Sequence, residues 1–274
     1  STKLNYYKSA TLELWREWFQ GLYSNLRFQI KEIRGTHLFS INTIENPFLA
    51  SIKYFETVFW FHFNYQEKIF KGTFTTTSIP SRYPIVEAST GAGYILNIKR
   101  PFYRISLKIT DGYWLGQLGY SNITTEWGKV FGKLSFPLLI LPQGNETYYY
   151  DIEAFNLMNY YEFVCDEYLS FFIDHKFMGF FLNKIPFINK LKLREVTSLR
   201  IVHGKLSKRN LTQLNPQLLS AGLLQQFGNK PYIEWGLGIE NIIRVLRVDL
   251  ILRMTYRKKG FPLQGIRAMF VVDF

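Results

Sequence analysis

A strict alternation of apolar and polar residues runs through most of this chain of 274 residues. Because successive side chains of a β-strand point to opposite faces, a period of two predicts strands with one apolar and one polar face. In segment 246–256 every even position is apolar, and the odd positions are polar apart from Ile251. The same pattern recurs at 103–110, 233–240 and 266–274, so the chain is predicted to be all-β.

The remaining candidate strands lengthen this pattern into a sheet of eleven strands with no convincing helix. Several are longer than the strands of most soluble proteins and suit a tilted strand that crosses a bilayer. A tight turn between 239 and 246 contrasts with long connections at 136–159 and 207–230, as expected for a barrel with turns on one rim and loops on the other. The predicted fold is a transmembrane antiparallel β-barrel. The additional strands are 9–20, 23–35, 51–65, 83–97, 119–133, 160–176 and 194–206.

The apolar face of such strands could pack against a second sheet in a soluble sandwich or face lipid in a membrane barrel. Aromatic residues near strand ends favour the barrel, because they form girdles at the level of the lipid headgroups. These residues are Tyr160, Tyr161, Tyr232, Tyr256 and Phe274. In a barrel, the polar face lines the lumen and places five charges there: Glu234, Arg247, Asp249, Arg253 and Arg267.

Composition narrows the classes of function. With 47% hydrophobic and 18% aromatic residues the chain is not disordered. Its net charge of +12 comes from scattered basic residues, which indicates no nucleic-acid partner. No apolar run approaches the length of a transmembrane helix, the N-terminus lacks the pattern of a signal peptide, and the single Cys165 permits neither an internal disulfide nor a thiolate metal cage.

No motif for catalysis or for cofactor binding stands out. There is no nucleophile elbow or P-loop, and no helix follows the glycines at 91–93 and 236–238, which more plausibly relieve crowding or permit curvature of the sheet. Asp174 and His175 are adjacent on a predicted strand and therefore point to opposite faces. The four histidines lack the spacing of metal ligands: His37, His62, His175 and His203. We expect no enzyme activity, no cofactor and no metal.

Four stretches resemble known outer-membrane proteins. The ending GIRAMFVVDF looks like the assembly signal of Gram-negative barrels, and 231–256 resembles the penultimate hairpin of the Omp85 (BamA-like) superfamily. Segments 131–163 and 177–196 resemble DUF5686 proteins, a Bacteroidota family with an Omp85-like barrel. The resemblance implies a barrel of about sixteen strands, of which this chain would be the C-terminal part over 1–274, without about five upstream strands and any periplasmic domain.

The resemblance also implies that the connection containing GNETYYYD folds back into the lumen. In the best-known members this loop carries an Arg-Gly-aromatic motif whose Arg reaches the barrel wall, but this chain lacks the motif. We expect the loop to plug the lumen through hydrogen bonds to inward charges, with an ordinary surface loop as the alternative. The candidate residues are Gly144, Asn145, Glu146, Tyr148, Tyr149, Asp151 and Asn159.

On the opposite, periplasmic rim, the segment from Phe177 to Leu193 is predicted to contact lipid or an upstream periplasmic domain. Its alternative interpretation is a long hairpin turn with an interfacial aromatic cluster. The candidates for this contact are Phe180, Phe181, Ile185 and Phe187.

The function implied by the resemblance is outer-membrane biogenesis or the translocation of proteins or lipids. Its partners would be outer-membrane lipid, including lipopolysaccharide, and other outer-membrane or periplasmic proteins. Such barrels work through a weak seam, at which the last strand would exchange pairing with a client strand. Two alternative functions are a passive pore or transporter and a non-conducting structural subunit of a secretion or uptake complex. A soluble β-sandwich that binds a ligand is the alternative that the sequence favours least. The seam residues are Gly265, Ile266, Phe270, Val272 and Phe274.

Overall fold

The structure is a computed structural model that describes residues 6–35, 41, 49–65, 68–71, 76–79, 83–220, 222, 224–258 and 260–271. Within these residues the chain forms an eleven-stranded antiparallel sheet in which each strand pairs with the next along the chain, apart from a separate two-stranded hairpin. The sheet strands are β1 (Tyr6–Phe19), β2 (Leu22–Arg34), β3 (Ser51–Asn64), β6 (Ile85–Ile95), β7 (Arg100–Trp114), β8 (Tyr120–Phe131), β9 (Glu167–Lys176), β10 (Arg194–Lys205), β11 (Tyr232–Ile242), β12 (Leu246–Arg253) and β13 (Gln264–Phe270), and the hairpin consists of β4 (Lys68–Lys71) and β5 (Thr76–Ile79).

Helices are few and short. Within the described residues they are α1 (Lys208–Leu211), α2 (Pro216–Ser220) and four 3₁₀ turns at Gly116–Leu118, Phe136–Leu138, Leu182–Lys184 and Ile188–Leu191. Among the residues described, no helix combines the length and the hydrophobicity that a bilayer-spanning helix requires.

The predicted all-β fold with its eleven-stranded antiparallel sheet is confirmed, with differences at individual strands. The β4–β5 hairpin was not predicted. The strand predicted over 160–176 begins only at Glu167, because the residues before it fold inward as part of a loop. The strand predicted over 246–256 ends at Arg253. Helices α1 and α2, also unpredicted, lie in the long connection after β10.

The two faces of the sheet differ sharply in chemistry. On β7 the side chains of Tyr103, Ile105, Leu107 and Ile109 are exposed on the outer face. On β12 the charged residues Arg247, Asp249 and Arg253 are buried on the inner face, and this contrast follows from the period-two alternation.

The ends of the strands define two rims. The loop rim carries the connections 132–166 and 206–231, and the turn rim carries the short turns at 20–21, 115–119 and 243–245. The separation of loops from turns is incomplete, since a short turn at 96–99 lies on the loop rim and the longer connections after β3 and β9 leave from the turn rim.

An apolar core fills the inside of the sheet near the loop rim. Here the inward side chains of Tyr54, Phe102 and Val130 pack with Leu138 of one long connection and Leu218 of the other. The core therefore joins wall strands to loops that are distant in sequence.

Glycines on the inner face of β6 make room for larger neighbours. Glu56 on β3 forms an ion pair of 2.7 Å with Nε of Arg104 on β7, across Gly91 of the intervening strand. The ring of Phe102 occupies the space that a side chain at Gly93 would need. The glycines at 91–93 thus relieve crowding at this part of the wall.

We predict that Gly93→Val destabilises the folded protein by about 1–3 kcal/mol or more, because the new side chain would collide with Phe102. The measurement is the free energy of unfolding in detergent, followed by the heat-dependent shift in gel mobility. Ala92→Val is the matched control, since Ala92 is exposed on the outer face. Equal stability of the two variants would contradict the prediction.

Candidate functional site

The connection between β8 and β9, residues 132–166, turns inward against the inner face of the sheet and is called the lumen loop. Asn145 organises its tip, because the Asn145 side-chain amide donates to the carbonyl of Tyr149 at 2.6 Å and to Asn156 Oδ1 at 2.8 Å. A Cβ at Gly144 would lie too close to the carbonyls of Met158 and Asn159. The tip is therefore a compact, internally bonded unit.

A carboxylate of the wall holds the backbone of the lumen loop. Glu234 on β11 is 1% exposed and accepts the backbone N–H groups of Asn156 at 2.8 Å and Leu157 at 2.7 Å. The hydroxyl of Tyr232 donates to the same carboxylate at 2.5 Å. Both oxygens of Glu234 are thus used to fix the loop.

A second contact pairs a carboxylate of the loop with an arginine of the wall. Glu162 and Arg253 on β12 are both buried and form a bidentate ion pair, with Arg253 Nη1 at 3.2 Å from Glu162 Oε2. Arg253 lies opposite Glu234 in the register of β11 and β12, and Glu234 lies opposite Arg200 of β10. The charges of loop and wall therefore alternate in sign across this part of the lumen.

Tyr150 forms a third contact. Its hydroxyl accepts a hydrogen bond from Arg200 Nη2 at 3.0 Å and donates to Asp174 Oδ1 at 3.3 Å, while Arg200 and Asp174 pair at 2.7 Å. The guanidinium of Arg247, which pairs with Asp249 at 2.8 Å, stacks over the Tyr150 ring. Burial, with a further effect of the Asp174 charge, raises the pKa of Tyr150 to about 12.

The lumen loop also pairs with the edge of the last strand. The N–H of Ala268 on β13 donates to the carbonyl of Tyr148 at 3.0 Å, and the N–H of Tyr150 donates to the carbonyl of Ala268 at 2.8 Å. Tyr149 and Ala268 form a parallel bridge. The segment Tyr148–Tyr150 thus lies beside β13 as a short added strand.

Most of the loop residues selected from the sequence bond to other parts of the loop. Besides Gly144 and Asn145, Glu146 accepts the N–H of Tyr160, Asp151 accepts the N–H of Glu153, and the N–H of Asn159 donates to Glu162. Tyr148 and Tyr149 are exposed, Tyr148 at 87%.

Tyr148 and Tyr149 of the predicted set reach the wall through backbone pairing with β13, whereas three residues that bond to side chains of β9–β12 were missed: Tyr150, Asn156 and Glu162. One signal in the sequence could have indicated a carboxylate in the loop. The arginines predicted to face the lumen outnumber the acidic residues predicted there, and a buried arginine requires a partner.

The five predicted lumen charges lie on the inner face, four of them buried: Glu234, Arg247, Asp249 and Arg253. Arg267 is half-buried beside Gly265. Of the seam residues, Ile266 and Phe270 are exposed on the outer face, whereas Val272 and Phe274 lie outside the described residues.

A cavity of about 900 Å³ lies between the lumen loop and the inner face of the wall. Residues of both charge signs line it, including Glu87, Lys108, Asp174, Lys176 and Glu240. The described residues contain no cluster of His, Cys, Asp and Glu suited to bind a metal ion. Charges of both signs therefore meet in this cavity.

We predict that Glu162→Gln destabilises the protein by about 3–5 kcal/mol, because it removes the carboxylate that forms the bidentate ion pair with the buried Arg253. Urea unfolding measures the loss, and limited proteolysis is expected to cut the lumen loop of the variant faster. Glu153→Gln is the matched control: Glu153 is exposed, its 3.4 Å pair with Lys108 is weak, and its loss is expected to cost about 0–1 kcal/mol. A cost for Glu162→Gln no larger than that of the control would refute the prediction.

The raised pKa of Tyr150 predicts a dependence on alkaline pH. The folded state favours the neutral phenol, so this contribution is complete below pH 10, the pKa of an ordinary tyrosine, and is lost as the pH rises towards 12. Between pH 10 and pH 12 we expect the parent protein to lose on the order of 2–3 kcal/mol in its free energy of unfolding relative to the Tyr150→Phe variant. Guanidinium unfolding at a series of pH values measures it, and a constant difference would show that Tyr150 does not titrate as described.

Comparison with solved structures shows a BamA-like barrel fold. The structure of BamA from Haemophilus ducreyi lacking POTRA domains 1–3 matches with a TM-score of 0.50 and 11% sequence identity. The match covers 96% of this chain and 54% of the BamA chain, so this chain spans about half the length of that relative. Within the described residues the sheet is not closed, since β1 and β13 are its two ends.

Comparison with curated protein sequences gives no significant match. The model of a protein family described as the C-terminal domain of a family of unknown function, DUF5686, matches residues 42–211, more than half of the chain. The resemblance seen in the sequence is therefore confirmed, and the chain belongs to the DUF5686 family.

Proposed function

We propose that this chain is part of an integral β-barrel protein of the bacterial outer membrane that acts in outer-membrane biogenesis. It would insert, export or organise other proteins or lipids. Its surroundings would be outer-membrane lipid, including lipopolysaccharide, and its partners other outer-membrane or periplasmic proteins.

The outer face of the sheet supports the membrane location. Large apolar side chains are exposed on strand after strand, as with Leu12 on β1, Phe59 on β3, Leu107 on β7 and Leu237 on β11. A soluble protein rarely exposes so continuous an apolar surface. Facing lipid, these side chains avoid contact with water, while the charges of the inner face remain paired.

The edge of β13 is the observation that carries the biogenesis proposal. In lipid, an unpaired strand edge costs several kcal/mol for each unsatisfied backbone group. Here Ala268 satisfies its outward groups with two hydrogen bonds to the segment Tyr148–Tyr150. A client strand that pairs along the whole edge would make more hydrogen bonds than this segment and could therefore displace it. The lumen loop would then return to the edge when the client leaves.

Two features argue against a passive pore. The lumen loop is held to the wall by Glu234 and Arg253, and the apolar core packs across the inside of the sheet near the loop rim. A conducting pore requires a continuous polar path, which a packed apolar core interrupts.

A designed disulfide tests the role of the edge. Because Tyr149 and Ala268 form a bridge, the pair Tyr149→Cys and Ala268→Cys is suited to cross-linking. We expect the oxidised full-length protein to support about tenfold less assembly of outer-membrane barrel proteins in cells, with recovery on reduction. The measurement is the amount of folded, heat-modifiable barrel proteins in the membrane fraction.

The matched control is the pair Val248→Cys and Ala268→Cys, which joins β12 to β13 across partners that already face each other. This disulfide leaves the edge accessible and is expected to preserve assembly. Normal assembly with the first pair fully oxidised would overturn the proposal that the edge is used.

A further inference from the structure

The segment 177–193 on the turn rim, here called the rim segment, has an unusual composition. It contains three lysines, Lys184, Lys190 and Lys192, and no Asp or Glu. All three are exposed, and among the residues that the structure describes no carboxylate pairs with them. The rim segment therefore carries a net positive charge on exposed lysines that form no ion pair within the described residues.

Exposed apolar side chains accompany these lysines. Phe187 is 79% exposed, and Phe181, Ile185 and Leu191 are also exposed. The ammonium group of Lys184 lies 4.0 Å from the centre of the Phe180 ring. Cations and aromatic rings are therefore interleaved on one surface.

The rim segment has a defined conformation. Glu195 at the start of β10 accepts the backbone N–H groups of Phe181 and Leu182, and the Asn241 side chain donates to the carbonyl of Lys192 at 2.8 Å. Phe187 has φ of 71°, which is rare for a bulky residue and is retained only where the surroundings impose it. The backbone at Phe187 is therefore held in a strained conformation.

The same surface continues onto the neighbouring turns of this rim. In the turn after β11, Ile243 is 84% exposed and is followed by Arg244. In the turn after β7, Leu115 and Leu118 are exposed. Three turns on one rim thus present apolar groups, as a layer of lipid headgroups and upper acyl chains would require.

We propose that the rim segment lies in the headgroup layer of the adjacent membrane leaflet and selects anionic phospholipids there. The apolar side chains would enter the boundary with the acyl chains, and the lysines would contact lipid phosphates. The charge of the segment favours this occupant, since its lysines complement a negative surface. The inference depends on the membrane location proposed above.

Spin labels on introduced cysteines test the position of the rim segment. The full-length protein is reconstituted in vesicles of phosphatidylethanolamine and phosphatidylglycerol, with a label at Phe187→Cys. Burial raises the pKa of the native Cys165 thiol, which keeps it unreactive, and the parent protein supplies the background. Accessibility to oxygen and to a water-soluble nickel complex reports the depth of the label.

Labels at two reference positions distinguish a failure of this inference from a failure of the proposed membrane location. Leu250→Cys on the outer face is expected to lie in the acyl region, and Tyr148→Cys on the lumen loop is expected to contact water. We expect the label at position 187 to lie at a depth between those of the labels at positions 250 and 148. A label at 187 that is as accessible to nickel as the label at 148, or shielded from both reagents by a protein domain, overturns it. If the label at position 250 is accessible to the water-soluble nickel complex, the proposed membrane location is wrong.

The choice of lipid has its own test. In the variant with Lys184, Lys190 and Lys192 all changed to Gln, the relative association constant for spin-labelled phosphatidylglycerol is expected to fall about fivefold or more. The matched variant changes the exposed Lys208, Lys230 and Lys258 of the loop rim to Gln and is expected to retain the parent value. An equal fall in both variants, or none in the first, overturns the selection of anionic lipid by the rim segment.

Discussion

The pairing of buried charges between the lumen loop and the wall is the constraint on which the rest of this structure depends. Arg253 and Glu162 are buried as a pair, and Glu234 is buried because two backbone N–H groups and a hydroxyl satisfy it. Removing either member of the Arg253–Glu162 pair would leave the other charge buried without its direct partner, at a cost of several kcal/mol. The loop is therefore held against the sheet in one arrangement, and the segment Tyr148–Tyr150 is held beside β13.

The fold could be predicted from the sequence because alternation is a local property. Apart from Ile251, each residue of 246–253 indicates its own face by its polarity, so the inner charges Arg247, Asp249 and Arg253 could be assigned without knowledge of their neighbours. The ends of strands were less predictable. Residues 160–166 continue an apolar and aromatic pattern, but their partners are in the lumen loop and in the connection after β10, as with Val164 and Gln225.

The candidate site was predicted only in part because its contacts join distant segments. The wall residues were visible in the pattern of the strands, and the position of the loop came from the family resemblance. Asn145 and Asp151 were chosen for their polarity, yet polar groups in a loop most often bond to the loop itself, as they do here. Tyr150, Asn156 and Glu162 gain their roles from Arg200, Glu234 and Arg253, which no local pattern connects to them.

The apolar core near the loop rim has a consequence for how the molecule is assembled. Its members come from strand ends and from two connections far apart in sequence, such as Tyr54, Phe102, Leu138 and Leu218. Contacts between distant segments form slowly, because the intervening chain must first be ordered. These side chains can meet only after the strands that carry them have aligned, so we expect the hydrophobic interior to form late in folding. A misaligned sheet would leave this interior unpacked and open to water.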